Sequence, residues 1–133
     1  DIELIVRIFA LSTNIRGYEK PMNEFVNIMT KKYKNSDAAV VKAFLKNFPI
    51  ACDIIQQNLR QKPFNVRGPL NTSVLDSVFS VIINNITKIP KDLNKRYEKL
   101  LTDKTFEDYT TIGTTDTKTV KERFAYVKTK LID

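Results

Sequence analysis

Apolar side chains recur along this chain at spacings of three and four, the period of helices that turn one face to a core. The first segment, Ile2 to about Thr13, brings Ile2, Ile5, Ile8 or Phe9, and Leu11 or Ser12 to one side. Asn14 to Lys20, with Gly17, reads as a turn, and Pro21 suits the first position of a second helix, where its missing N–H costs nothing. Met22, Phe25, Val26 and Met29 share a face of that helix. Ser36 or Asp37 caps a third helix, whose apolar face is Ala39, Val40, Ala43, Phe44 and Phe48. Pro49 ends or kinks it, and the pattern resumes at Ile50, Ile54, Ile55 and Leu59 as either a separate helix or a kinked continuation.

An irregular basic connection, "RQKPFNVRGPLN", leads to the most apolar element, with Val74, Leu75, Val78, Phe79, Ile82, Ile83 and Ile86. Its β-branched residues would suit a strand, but its length exceeds an ordinary one. Asp76, Ser77, Asn84 and Asn85 fall away from the main stripe, which makes this the central buried helix. Pro90 opens a helix with Leu93, Tyr97, Leu100 and Leu101, and Thr102 or Asp103 caps a short one containing Phe106 and Tyr109. The last helix aligns Val120, Phe124, Val127 and Leu131. The fold class expected is therefore all-α, a compact array of six or seven helices without a significant sheet, forming one domain over residues 1–133. Three glycines in 133 residues agree with it, because all-β folds need many tight turns.

Composition narrows the chemistry. Lys and Arg number 22 against 15 Asp and Glu, a formal charge of +7 that suits a polyanionic partner and equally a solvated lysine-rich surface. The excess is spread along the chain: ten basic and six acidic residues through Val66, then twelve and nine. Cys52 is the sole cysteine, which rules out an intramolecular disulfide framework and a cysteine zinc cluster, and fits a cytoplasmic, reducing compartment. The first apolar run is too short and too charged for a signal peptide or membrane span. The start at Asp1, already helical in pattern, reads as an excerpt from a longer protein.

With no histidine, neither His-based triads nor His-ligated zinc can be built, and no P-loop or GxGxxG pattern occurs. Neither catalytic residues, a metal site nor a cofactor is assigned. Asp108 followed by Asp116-Thr117-Lys118 matches on its face the acid and (D/E)xK arrangement of metal-dependent nucleases, but those motifs sit on paired strands and these residues open a helix. Thr115 or Asp116 reads instead as a helix cap, with Gly113 permitting the turn before it.

One feature of that stretch points outward. Lys118, Lys121 and Arg123 lie in the first turns of the last helix, where the macrodipole favours anions. With the hydroxyls of Thr114 and Thr115 they form a candidate phosphate contact, tempered by Asp116 and Glu122. Lys91, Lys95, Arg96 and Lys99 form a second basic group on the helix opened by Pro90. Tyr18 and Tyr109, near turns, are the aromatic side chains best placed for exposed contacts.

Three segments, "RIFALSTNIRGYEKPMNEFVNIMTKKY", "KPFNVRGPLNTSVLDSVF" and "YTTIGTTDTKTVKERF", taken in this order, resemble the C-terminal helical region of the GmrSD-type family of bacterial restriction and phage-defence proteins, long labelled only as a domain of unknown function. The resemblance runs over nearly the whole chain and rests on the order of soft motifs. Members carry an N-terminal ParB-like nucleotide-hydrolysing domain with an Asp-Gly-Gln-Gln-Arg-like motif, which is not in this sequence, so no catalytic position transfers. The resemblance implies a cytoplasmic, non-catalytic module that contacts or positions DNA beside an NTPase or nuclease domain. The alternative is a structural module that packs on that N-terminal domain or mediates oligomerisation.

Overall fold

The structure is a computed structural model and describes residues 1–35 and 37–133. Among the described residues there are seven α-helices and one 3-10 turn, with no strand. The helices are α1 (Ile2–Thr13), α2 (Met22–Lys32), α3 (Ala39–Asn58), α4 (Thr72–Ile83), α5 (Leu93–Leu101), α6 (Lys104–Tyr109) and α7 (Thr117–Leu131); the 3-10 turn is Ile15–Gly17.

Helix α4 is the axle. Asn71 starts it by accepting from the N–H groups of Ser73 and Val74, and every residue from Ser73 to Ile83 is then buried. Helices α1, α3 and α7 pack around it, so it has no solvent side on which to place polar residues. Asp76 and Ser77, expected off the stripe, are therefore inside, and Asp76 is 1% exposed. The helix stops at Ile83, leaving Asn84 and Ile86 in the turn beyond it.

Two apolar clusters form. The larger joins α4 to Ile8, Ala51, Ile55, Phe64, Tyr97 and Val127, among others. The smaller joins Ala10, Leu11, Tyr18, Phe25, Met29, Val120 and Phe124. Tyr18 is fully buried, so it is a core residue and not an exposed contact, whereas Tyr109 is half-buried. Ile2 and Ile5 also depart from expectation: α1 turns Ile8, Ala10 and Leu11 inward and leaves those two at the surface.

Helix α3 runs unbroken through Pro49, the continuous alternative of the two. It leans on the core through aromatics, with Phe44 edge-on to Phe9 at 5.2 Å and Phe48 stacked on Phe79 at 5.1 Å. Only Ala51 and Ile55 of its residues are buried. Of the two residues expected to cap it, Ser36 lies outside the described residues, and the N-cap position belongs to Ala38. Pro21 and Pro90 each stand before their helix and not within it; Met22 and Leu93 are the first helical residues. Asp103 does cap α6, accepting from the Phe106 N–H at 3.0 Å.

Candidate basic groove and the braced loop beside it

The loop between α6 and α7 is held by donors that reach it from the core. Arg123 points inward, and its Nη1 donates to the carbonyls of Tyr109 and Thr114, both at 3.0 Å. The Tyr18 hydroxyl donates to the Thr115 carbonyl at 2.6 Å, and the Lys20 N–H to Thr117 Oγ1 at 3.0 Å. Gly113 turns the chain at φ +55, a conformation that favours glycine. A loop gripped through its carbonyls from behind is a fixed platform.

Beneath it lies a buried charge cluster. Arg7 places Nε and Nη2 at 2.9 and 2.6 Å from Asp76 Oδ2, and Arg123 Nη2 stands 3.4 Å from Oδ1. Arg123 is 0% exposed, and its Nε has no partner among the described residues. Burial pushes the Asp76 carboxyl up and the two guanidiniums pull it back; burial likewise pulls Arg123 down while Asp76 opposes it. The cluster ties α1, α4 and α7 together. Arg123, expected at the phosphate contact, is thus a structural residue that no surface ligand reaches.

The rest of the expected contact is divided. Asp116 occupies the N-cap position of α7, but its side chain caps nothing and faces Lys20 Nζ at 3.7 Å. That carboxylate supplies the negative charge at the helix start which an external anion would otherwise supply. Lys118 lies 3.8 Å from Glu122, while the hydroxyls of Thr114 and Thr115 make no bond among the described residues. Asp108 pairs with Lys104 on α6, so the two carboxylates of the nuclease-like pattern engage different lysines. Among the described residues no group of three or more His, Cys, Asp or Glu could hold a metal ion.

The second basic group separates from the first. Arg96 pairs with Asp92 at 2.9 Å and also approaches the carbonyls of Leu131 and Ile132 at 3.4 Å, which places it against the last turn of α7. Lys118 lies in the first turn and Thr114 and Thr115 just before it, about 22 Å away along a 15-residue helix. Lys95 and Lys99 are exposed on α5, and Lys91 precedes that helix. Carboxylates of Asp103 and Asp133 share the hollow beside Arg96 and Lys99, so this end is mixed in charge.

A different arrangement is more uniform. The Ile15–Gly17 turn, the end of α4 and the outer side of α7 enclose a groove of about 570 Å³. Arg16, Lys121 and Lys128 line it, and among the described residues no acidic one does. None of these three forms an ion pair among the described residues, whereas Lys20, Lys104 and Lys118 each do. Asn84 and Asn85 supply polar groups, with Ser80 buried beneath them, and Ile15, Val81 and Phe124 apolar surface. The Asn14 side chain accepts from the Gly17 N–H, fixing the turn that carries Arg16. Only Lys121 of this set stood out in the sequence. Arg16 and Lys128 sit in separate segments, and nothing in local spacing links them.

No helix among the described residues is long and apolar enough to cross a membrane. Comparison of the chain with protein-family models, with curated proteins and with solved structures gave no match.

Proposed function

We propose that this chain is a non-catalytic helical module that contacts the phosphate backbone of DNA, positioning it for an adjacent catalytic domain of a restriction or phage-defence protein. The observation that carries this reading is the outer ridge of α7. Lys118, Lys121, Ala125 and Lys128 follow one another at steps of three and four, a line about 15 Å long, and Arg16 lines the same groove as the last three. Cations on a rigid helix above a braced loop suit sequence-independent phosphate contacts, which position a duplex without reading it. The family resemblance supplies only the context of an adjacent NTPase or nuclease.

A second reading has its own observation. Helix α3 carries Leu45 at 62% exposure and Ile50 at 40%, and α2 carries Ile28 at 64%. Exposed apolar residues of this size fit a module that packs on another domain or on a second copy.

Fluorescence anisotropy with labelled duplex DNA at low and physiological salt separates the two. Under the first reading, affinity falls steeply with salt, and replacing Lys121 and Lys128 together by Ala lowers the slope of log affinity against log salt by about 2. A chain that self-associates but binds no DNA even at low salt sinks the first reading in favour of the second.

A further inference from the structure

The groove contains more than a backbone contact uses. Phosphate contacts on a duplex need surface cations and hydrogen-bond donors, yet here the cations rim a hollow with an apolar floor and unspent acceptors. Asn84 donates its Nδ2 to the Ser12 carbonyl at 2.9 Å, and Asn85 donates its own to Val81 at 2.7 Å. Their Oδ1 atoms accept no bond among the described residues. Ser80, also lining the groove, has a buried hydroxyl without a partner among the described residues. A buried polar atom of a native fold is ordinarily paired, but this hydroxyl is shielded beneath the groove, so the acceptors a ligand meets are those of Asn84 and Asn85.

The groove is also polarised. Lys121 and Lys128 on α7 and Arg16 on the Ile15–Gly17 turn make those two walls cationic. The α4 side is the C-terminus of a helix, where the macrodipole is negative by about half an elementary charge. That end disfavours an anion and favours N–H donors. A ligand matching both sides carries an anion at one end, hydrogen-bond donors at the other and a flat apolar body between them. At about 570 Å³ the space falls within the usual range of small-molecule sites, roughly 300–1,000 Å³.

Resting on the nucleic-acid reading above, we propose that this groove is a binding site for a single nucleotide unit. The phosphate lies between Arg16, Lys121 and Lys128, the sugar and base cross Ala125 and the edge of Phe124, and an amino group of the base donates to Asn84 or Asn85. The unit is either a free nucleotide or one nucleotide of an unpaired strand, since both present the same chemistry.

Titration of the whole chain with adenosine monophosphate, inorganic phosphate, a short single strand and the matching duplex tests this. Ala125 is exposed on α7, so Ala125→Glu places a carboxylate in the groove at little cost to packing. It is expected to weaken adenosine monophosphate binding at least about tenfold, with inorganic phosphate a weaker ligand throughout. Should thermal melting show that this variant is unfolded, the exposed-side pair Lys121→Met and Lys128→Met replaces it, with the same loss expected. Competition by the single strand through the same residues identifies the unit as part of a strand; its absence identifies a free nucleotide. Duplex binding by the parent chain, with no binding of adenosine monophosphate to it, overturns the groove proposal and leaves the DNA-contact reading intact. A parent chain that binds none of the four probes at low salt overturns both.

Discussion

Lys121 and Arg123 sit two residues apart on α7 with the same charge and opposite surroundings. Arg123 faces the core, where Asp76 and two loop carbonyls take up its donors. Lys121 faces the groove and pairs with no carboxylate among the described residues. Two residues turn a helix through roughly 200°, so neighbours of like charge are sent to opposite sides. A basic cluster in a sequence is therefore not one site. Here the inward face sets the shape of the loop, and the outward face is left available to a ligand.

The sharpest way to break this contrast is to remove the inward charge. Arg123→Ala strands Asp76 beside Arg7 alone and releases the Tyr109 and Thr114 carbonyls, and should cost about 3–5 kcal/mol. Denaturant unfolding measures it; a loss below about 1 kcal/mol would mean that the cluster does not hold the three helices together.

A smaller effect belongs to the α6 cap. Burial pushes the Asp103 carboxyl up, but the Tyr126 hydroxyl at 2.6 Å and the Phe106 N–H hold it, on balance, below its ordinary range. A carboxyl depressed in the fold stabilises it above the unfolded value near pH 3.9, and that stability is lost as pH falls through the folded value. Tyr126→Phe should cost about 1 kcal/mol at neutral pH, a gap that narrows below about pH 4. Melting curves across that range would show it, and a gap independent of pH would mean that only ring packing was disturbed.

The smallest effect tests the outer face. Lys118→Ala should change stability by less than about half a kcal/mol, because its pairing with Glu122 at 3.8 Å is solvent-exposed. Its effect on DNA affinity should be weaker than that of Lys121→Ala, whose cation has no such partner. The reverse order in anisotropy would move the contact back to the start of α7.

How much of this could be read in advance follows from the physics of each part. The stripe of Val120, Phe124, Val127 and Leu131 was legible because α7 has one wet side and one dry side. Asp103 was legible as one of two candidate caps, with Thr102, because capping is local. Asp76 was not, since periodicity assumes a polar face and α4 has none. Arg123 and Asp76 lie 47 residues apart, and Tyr18 and Thr115 lie 97 apart, separations at which spacing says nothing about contact. The groove was hidden for the same reason: it draws on a turn, a helix end and a helix face that are brought together only by folding.

The shallow seating of α3 has a consequence for motion. Pro49 has no amide hydrogen and leaves the Leu45 carbonyl without its helical donor, at a point where Leu45 and Ile50 are already at the surface. The turns around it are held by few buried contacts, in contrast to α4, whose amides are shielded on every side. Exchange of backbone hydrogens with solvent should then proceed on two clocks, with α3 opening on its own while α4 waits for the whole molecule to unfold.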